Sequence, residues 1–110
     1  MNKLIEQIKQ WHYDRNLIEG STDLAQFSKL MEETLELHKA LVEDNCSPTG
    51  DLDDIQDAIG DIMVVLINIA ERNGLTLEQC LEHAYNDIKD RKGKMVDGVF
   101  VKEQAAWYKH

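Results

Sequence analysis

With 110 residues, 43% of them apolar and 30% charged, the chain has material for one domain around a modest core and is not a disordered segment. A formal net charge of −9 argues against the Lys- and Arg-driven grip on phosphates that non-specific nucleic-acid binders use, and disfavours anionic membrane surfaces. It leaves a phosphate ligand open, because a metal ion can bring positive charge locally.

Cys46 and Cys80 stand far apart and in no metal-type spacing, as expected of ordinary thiols in a reducing cytoplasm. The amino terminus is amphipathic and has no signal-peptide core, and the longest apolar run falls far short of the ~20 residues that span a bilayer. The chain is therefore expected to be soluble and cytoplasmic, with no membrane or nucleic-acid partner.

In chain order, Leu4, Ile5, Ile8, Trp11 and His12 fall at helical spacing and predict a first amphipathic helix over residues 2–15. Asn16 to Ser21 reads as a break. Ser21 or Thr22 then caps a long second helix to about Asp44, whose apolar members include Leu24, Phe27, Leu30, Met31, Leu35, Leu37, Leu41 and Val42. His38 on its apolar side reads as a packed histidine. Asn45 to Gly50, with the single proline Pro48, is a loop.

The third helix, Asp51 to Asn73, opens on Asp51, Asp53 and Asp54, acids that suit the positive end of a helix dipole. Its second half is apolar nearly all round, which predicts a helix packed on several sides. Asn73-Gly74 closes it. Thr76, with Gln79 three residues on, opens a fourth helix to about Asp90. Asp97-Gly98 between short apolar runs signals a hairpin, and a short helix is expected around Ala105 to Tyr108. The expectation is an all-α four-helix bundle with a short carboxy-terminal hairpin-like segment, forming a single domain over residues 1–110.

Two sets of charges are candidates for chemistry. At 100° per residue, Glu32, Glu33 and Glu36 share one sector of the second helix, roughly opposite its leucines, while Asp54, Asp57 and Asp61 form a stripe on the third. Adjacent helices could bring Glu32, Glu33 and Glu36 towards Asp57 and Asp61. Clustered carboxylates repel unless a hard cation joins them, and oxygen-only ligation suits Mg2+ or Mn2+. The competing reading is a solvated acidic face, with Asp51, Asp53 and Asp54 explained by the helix end alone. The second set is Lys89, Arg91, Lys92 and Lys94, a compact basic cluster that would suit phosphates or equally a helix carboxy terminus. Trp11 and His12 are either core residues or contacts to a flat ligand.

Glu32-Glu33-x-x-Glu36 followed by Gly60-Asp61 resembles the signature of the MazG-like all-α nucleoside triphosphate pyrophosphohydrolases, and the carboxy-terminal basic segment is similar to that of short phage- and cassette-type members. The resemblance implies hydrolysis of a (deoxy)nucleoside triphosphate to the monophosphate and pyrophosphate, as nucleotide-pool house-cleaning, with Mg2+ as cofactor. It gives Glu33, Glu36 and Asp61 as metal ligands and places Asn86 in the substrate site. Ala58 stands where the family carries a further glutamate, so Asp57 is expected as its replacement. Glu32 or Glu33 would activate water, with Glu32 favoured because it is not part of the ligand-like Glu33/Glu36 pair. Lys89, Arg91, Lys92 and Lys94 would hold phosphates, and Trp11 and His12 would meet the base.

The apolar third helix and the resemblance both imply a homodimer or homotetramer, with Val65 expected at the interface. Two alternatives stand beside this reading. One is a non-enzymatic helical binding module; the other is an enzyme acting on a phosphoribosyl-linked nucleotide.

Overall fold

A computed structural model describes residues 2–46 and 52–103; of the expected Asn45–Gly50 loop, Asn45 and Cys46 instead end a helix, and residues 47–51, the short helix expected near Ala105 and the last histidine lie outside the described residues. Within them the chain is mostly helical, with helices α1 (Asn2–Asp14), α2 (Asp23–Cys46), α3 (Leu52–Arg72) and α4 (Leu77–Ile88), then strands β1 (Gly93–Val96) and β2 (Val99–Lys102). This content agrees with an all-α bundle carrying a small hairpin. No described helix is long and apolar enough to cross a membrane. The chain divides into two compact units, Met1–Leu77 and Glu78–His110.

In the first unit the helix ends follow from local chemistry. Thr22 Oγ1 accepts the Ala25 backbone N–H at 3.1 Å, so Thr22 is the N-cap of α2. Helices α1 and α3 both stop through a left-handed residue, Asn16 (φ 55°) and Gly74 (φ 72°). At α1 the N–H groups of Asn16 and Leu17 return to the carbonyls of Tyr13 and His12; at α3 those of Gly74 and Leu75 return to Glu71 and Ala70. These pairs satisfy carbonyls that a helix terminus leaves without partners.

Helix α3 is the shared element, packing against both α1 and α2. Ile5, Ile67 and Leu77 form a buried apolar cluster with Ile8 against it. Beside it, α3 carries a polar group that its apolar reading did not anticipate: Asn68 is fully buried. Asn68 Nδ2 donates to the Leu17 carbonyl at 3.0 Å and lies 3.2 Å from His12 Nδ1, while His12 Nε2 lies 3.0 Å from the Val64 carbonyl. A carbonyl only accepts, so Nε2 carries the proton and Nδ1 accepts from Asn68, which fixes one neutral tautomer. Arg72 donates to the Ile18 carbonyl and pairs with Asp23 at 3.0 Å, tying the end of α3 to the start of α2.

The all-round burial expected for α3 is only partly met within one chain. Val65 is 5% exposed and Ile67 and Ala70 are buried, but Ile59 and Met63 reach solvent. Val65, expected at an intersubunit surface, belongs instead to the chain's own interior. The α2 face turned towards α3 runs through Leu30, Glu33, Leu37 and Ala40, whereas Leu24, Phe27, Met31 and Leu35 point outward. His38, expected to be packed, is exposed on α2.

In the second unit, β1 and β2 pair antiparallel with Val96 opposite Val99 and Met95 opposite Phe100. Asp97 and Gly98 both take positive φ, 51° and 82°, the two-residue turn whose twist matches the strands.

Candidate functional site

Glu33 decides where the site lies. It occupies a position on the helix-packing seam where an apolar side chain would ordinarily sit, and it is only 9% exposed. The crevice it faces, about 300 Å³, is lined from α2 by Glu33, Glu36, Lys39, Ala40 and Glu43, and from α3 by Asp54, Asp57, Ala58 and Asp61. The two small residues, Ala40 and Ala58, are both buried and leave the room between the helices. Among the described residues, six carboxylates and one ammonium therefore share one cleft.

Of the expected metal ligands, Glu33, Glu36, Asp57 and Asp61 all line this cleft. Asp54, on the acidic stripe but read from sequence chiefly as helix-end electrostatics, lines it too, and so do Glu43 and Lys39, which the motif does not contain. Glu32 is outside the lining and well exposed. Ala58 faces the cleft, so the position where the family carries glutamate does point at α2, and Asp57 reaches the same space from one residue earlier.

The charges in the cleft are not balanced. Asp61 reaches solvent, yet its carboxyl is held above the ordinary carboxylate range. Lost hydration against the helices is the largest cause, followed by the negative charges of Glu33 and Asp57; Lys29 pulls the other way. Lys29 Nζ sits 3.0 Å from Glu33 Oε1 and 3.6 Å from Glu32 Oε1. Among the described residues no three ligand-type side chains converge on one point. The carboxylates are not all apart: Asp61 and Glu33 share a side-chain hydrogen bond across the cleft, while Lys29 holds Glu33 from its own helix. As a donor set they still fit a hard divalent cation, since every ligating atom is a carboxylate oxygen.

The expected substrate residues fall in both units. In the first, Trp11 is part-exposed, with the Arg15 guanidinium 4.2 Å from its ring centroid and the His12 ring edge-on at 5.3 Å. His12 is only 3% exposed and both ring nitrogens are hydrogen-bonded inside the fold, so its ring locks α1 to α3 and does not face a ligand. In the second unit, Asn86 lines a shallow depression with Gln79, Glu82 and His83. Arg91 pairs with Asp87 at 2.6 Å. Lys92 and Lys94 border a second depression with Gly93 and Glu103, and Lys89 is exposed.

A family model for phosphoribosyl-ATP pyrophosphohydrolase matches residues 1–87. The chain belongs to this family. It is a branch of the MazG-like all-α nucleoside triphosphate pyrophosphohydrolases, and the matched stretch contains every carboxylate of the cleft together with Asn86, while Lys89, Arg91, Lys92 and Lys94 lie beyond it. The chain is also 42% identical over 73 residues to an uncharacterized 18.2 kDa protein in the rep-hol intergenic region of Haemophilus phage HP1 (strain HP1c1). That alignment covers 66% of this chain and 41% of the phage protein, so the chain spans less than half of its relative. No solved structure matches the chain.

The raised Asp61 carboxyl has a consequence for stability. Folding holds this proton more tightly than the unfolded chain does, so the contribution of Asp61 is most favourable at low pH. It is lost as pH rises from the ordinary carboxylate value to the raised one, and above that a constant penalty remains. Asp61→Asn is expected to raise the melting temperature of the metal-free protein at pH 7, with the gain shrinking below pH ~4 and at high salt. Equal melting temperatures for the two proteins at pH 7 and low salt would contradict this.

Proposed function

We propose that the chain is a divalent-cation-dependent nucleotide pyrophosphohydrolase that cleaves a (deoxy)nucleoside triphosphate between its α- and β-phosphates, releasing the monophosphate and pyrophosphate. The observation that carries this reading is the cleft of six carboxylates built around buried Glu33, in a chain of the phosphoribosyl-ATP pyrophosphohydrolase family. A setting in the cytoplasm and a role in clearing unwanted nucleotides follow from the same reading.

Glu33, Glu36 and Asp61, with Asp57 in place of the missing glutamate at position 58, would hold Mg2+ or Mn2+. When bound, the cation neutralises the polyphosphate and acidifies water. The chain's own contribution is to fix the acids on two packed helices and to accept a proton from the attacking water. Between the two candidates for that step, Glu33 lines the cleft and Glu32 does not, so Glu33 takes the role. Trp11 offers a part-exposed ring for the base, and Asn86, Lys89, Arg91, Lys92 and Lys94 supply amide and cationic contacts for sugar and distal phosphates.

The family description favours a second substrate, a phosphoribosyl-linked adenine nucleotide, which would use the same carboxylates. A non-enzymatic binding module remains the reading from another class, and it does not require acids in the cleft. Pyrophosphate release from a panel of ribo- and deoxynucleoside triphosphates and phosphoribosyl-ATP, with Mg2+, separates the three. Glu33→Gln, Glu36→Gln and Asp61→Asn are each expected to lower the rate by at least about 10²-fold, while Glu32→Gln stays within about tenfold. Full activity in the Glu36 and Asp61 variants, or no release from any substrate, would overturn the enzymatic reading.

We also propose a homodimer or homotetramer assembled through the outer face of α2. Leu35 is 68% exposed, and with Phe27, Leu30, Met31 and Thr34 it lines an apolar groove of about 310 Å³. Contiguous exposed apolar surface of this kind marks interaction sites. Met31→Glu with Leu35→Glu should give a folded monomer by light scattering where the unmutated protein is larger; a monomeric unmutated protein would contradict the assembly.

A further inference from the structure

Lys29 has no place in the acidic motif, yet it is the cation bonded to the most buried acid of the cleft. Its ammonium is 3.0 Å from Glu33 Oε1 and 3.6 Å from Glu32 Oε1, and its side chain is half exposed. Ordinary helix stabilisation is a poor account of this pair. Lysine four residues before glutamate is the weaker of the two orders along a helix, because it runs against the macrodipole. Its influence also reaches beyond its own helix: the charge of Lys29 favours ionised Asp61 on α3, which Glu33 and Asp57 oppose. Contact with Glu33 in turn keeps the Lys29 ammonium protonated above the usual lysine range.

We propose that Lys29 is a tethered counter-ion that holds the place of the divalent cation, neutralising Glu33 in the metal-free protein and leaving that carboxylate when the cation binds. The inference rests on the reading of the cleft as a cation site. An ammonium 3.0 Å from Glu33 Oε1 and a divalent ion on the same carboxylate repel each other and compete for its charge, so the affinity of the cleft is set against the Lys29 contact. The exchange also explains how a buried carboxylate beside Asp61 is tolerated before loading, since an unpaired charge there would be costly. Freed from Glu33, the ammonium stays tethered one helical turn away, where it can meet an anionic phosphate.

Calorimetric titration of Mg2+ into the metal-free full chain tests this, with unmutated protein, Lys29→Gln, Lys29→Met, Lys29→Arg and Glu33→Gln compared. Removing one positive charge beside the cation should tighten Mg2+ binding about tenfold in Lys29→Gln and Lys29→Met. The same two variants should melt at a lower temperature without metal, and the rise in melting temperature on adding Mg2+ should be larger than for unmutated protein. Lys29→Arg keeps the charge and should bind within about twofold of unmutated protein. Unchanged or weaker Mg2+ binding in Lys29→Gln and Lys29→Met, with unmutated protein binding and Glu33→Gln failing to bind, would overturn the role of Lys29 and leave the cation site standing. Failure of unmutated protein to bind Mg2+ or Mn2+ would overturn both.

Discussion

A carboxylate on a helix-packing seam is the constraint from which the rest of this structure follows. Glu33 sits where α2 meets α3, nearly closed off from water, with Asp61 and Asp57 across from it. Two buried alanines, Ala40 and Ala58, and a set of acids line the crevice between the helices there. Charges in such a place must be paired or joined by a cation. Lys29 pairs with one of them, and Asp61 is raised first by lost hydration and then by the negative charges of Glu33 and Asp57.

Holding that arrangement requires rigid helices, and the polar contacts of α3 supply the rigidity. His12 and Asn68 form a buried lattice that reaches the Val64 and Leu17 carbonyls, while Arg72 connects the far end of α3 to Asp23 on α2. Losing a donor such as Asn68 would leave buried acceptors unpaired, at about 1–3 kcal/mol each. The acids are therefore displayed on a frame whose own polar groups fix its register, which suits a site whose donors must stay in place while the net charge in the cleft changes.

Much of this was legible in the residues. Helical spacing gave the four helices, Asn73-Gly74 the end of α3, Asp97-Gly98 the hairpin, and the acidic stripes pointed to the faces that meet. The misreadings have physical causes. Asn68 was hidden within an apolar run because a single amide does not break the period, and His12 looked like a ligand contact because its partners, Val64 and Asn68, are more than fifty residues away. Lys39 and Glu43 enter the cleft through helix geometry that a short motif does not encode, whereas Asp54 lay on the stripe with Asp57 and Asp61 and was discounted because an acid also suits a helix amino end. His38 was read as packed because hydrophobicity marks a face as buried without saying by which partner; within one chain His38 and the outward apolar residues Leu24, Phe27, Met31 and Leu35 are exposed.

The central claim is that the cleft between α2 and α3 gathers its acids around a divalent cation. Anomalous diffraction from crystals grown with Mn2+ and a non-hydrolysable nucleoside triphosphate tests it most directly. The account predicts an anomalous peak bounded by Glu33, Glu36, Asp57 and Asp61, with Lys29 withdrawn from Glu33. Manganese found only outside the cleft, or a cleft that keeps the Lys29–Glu33 contact at saturating Mn2+, would contradict it.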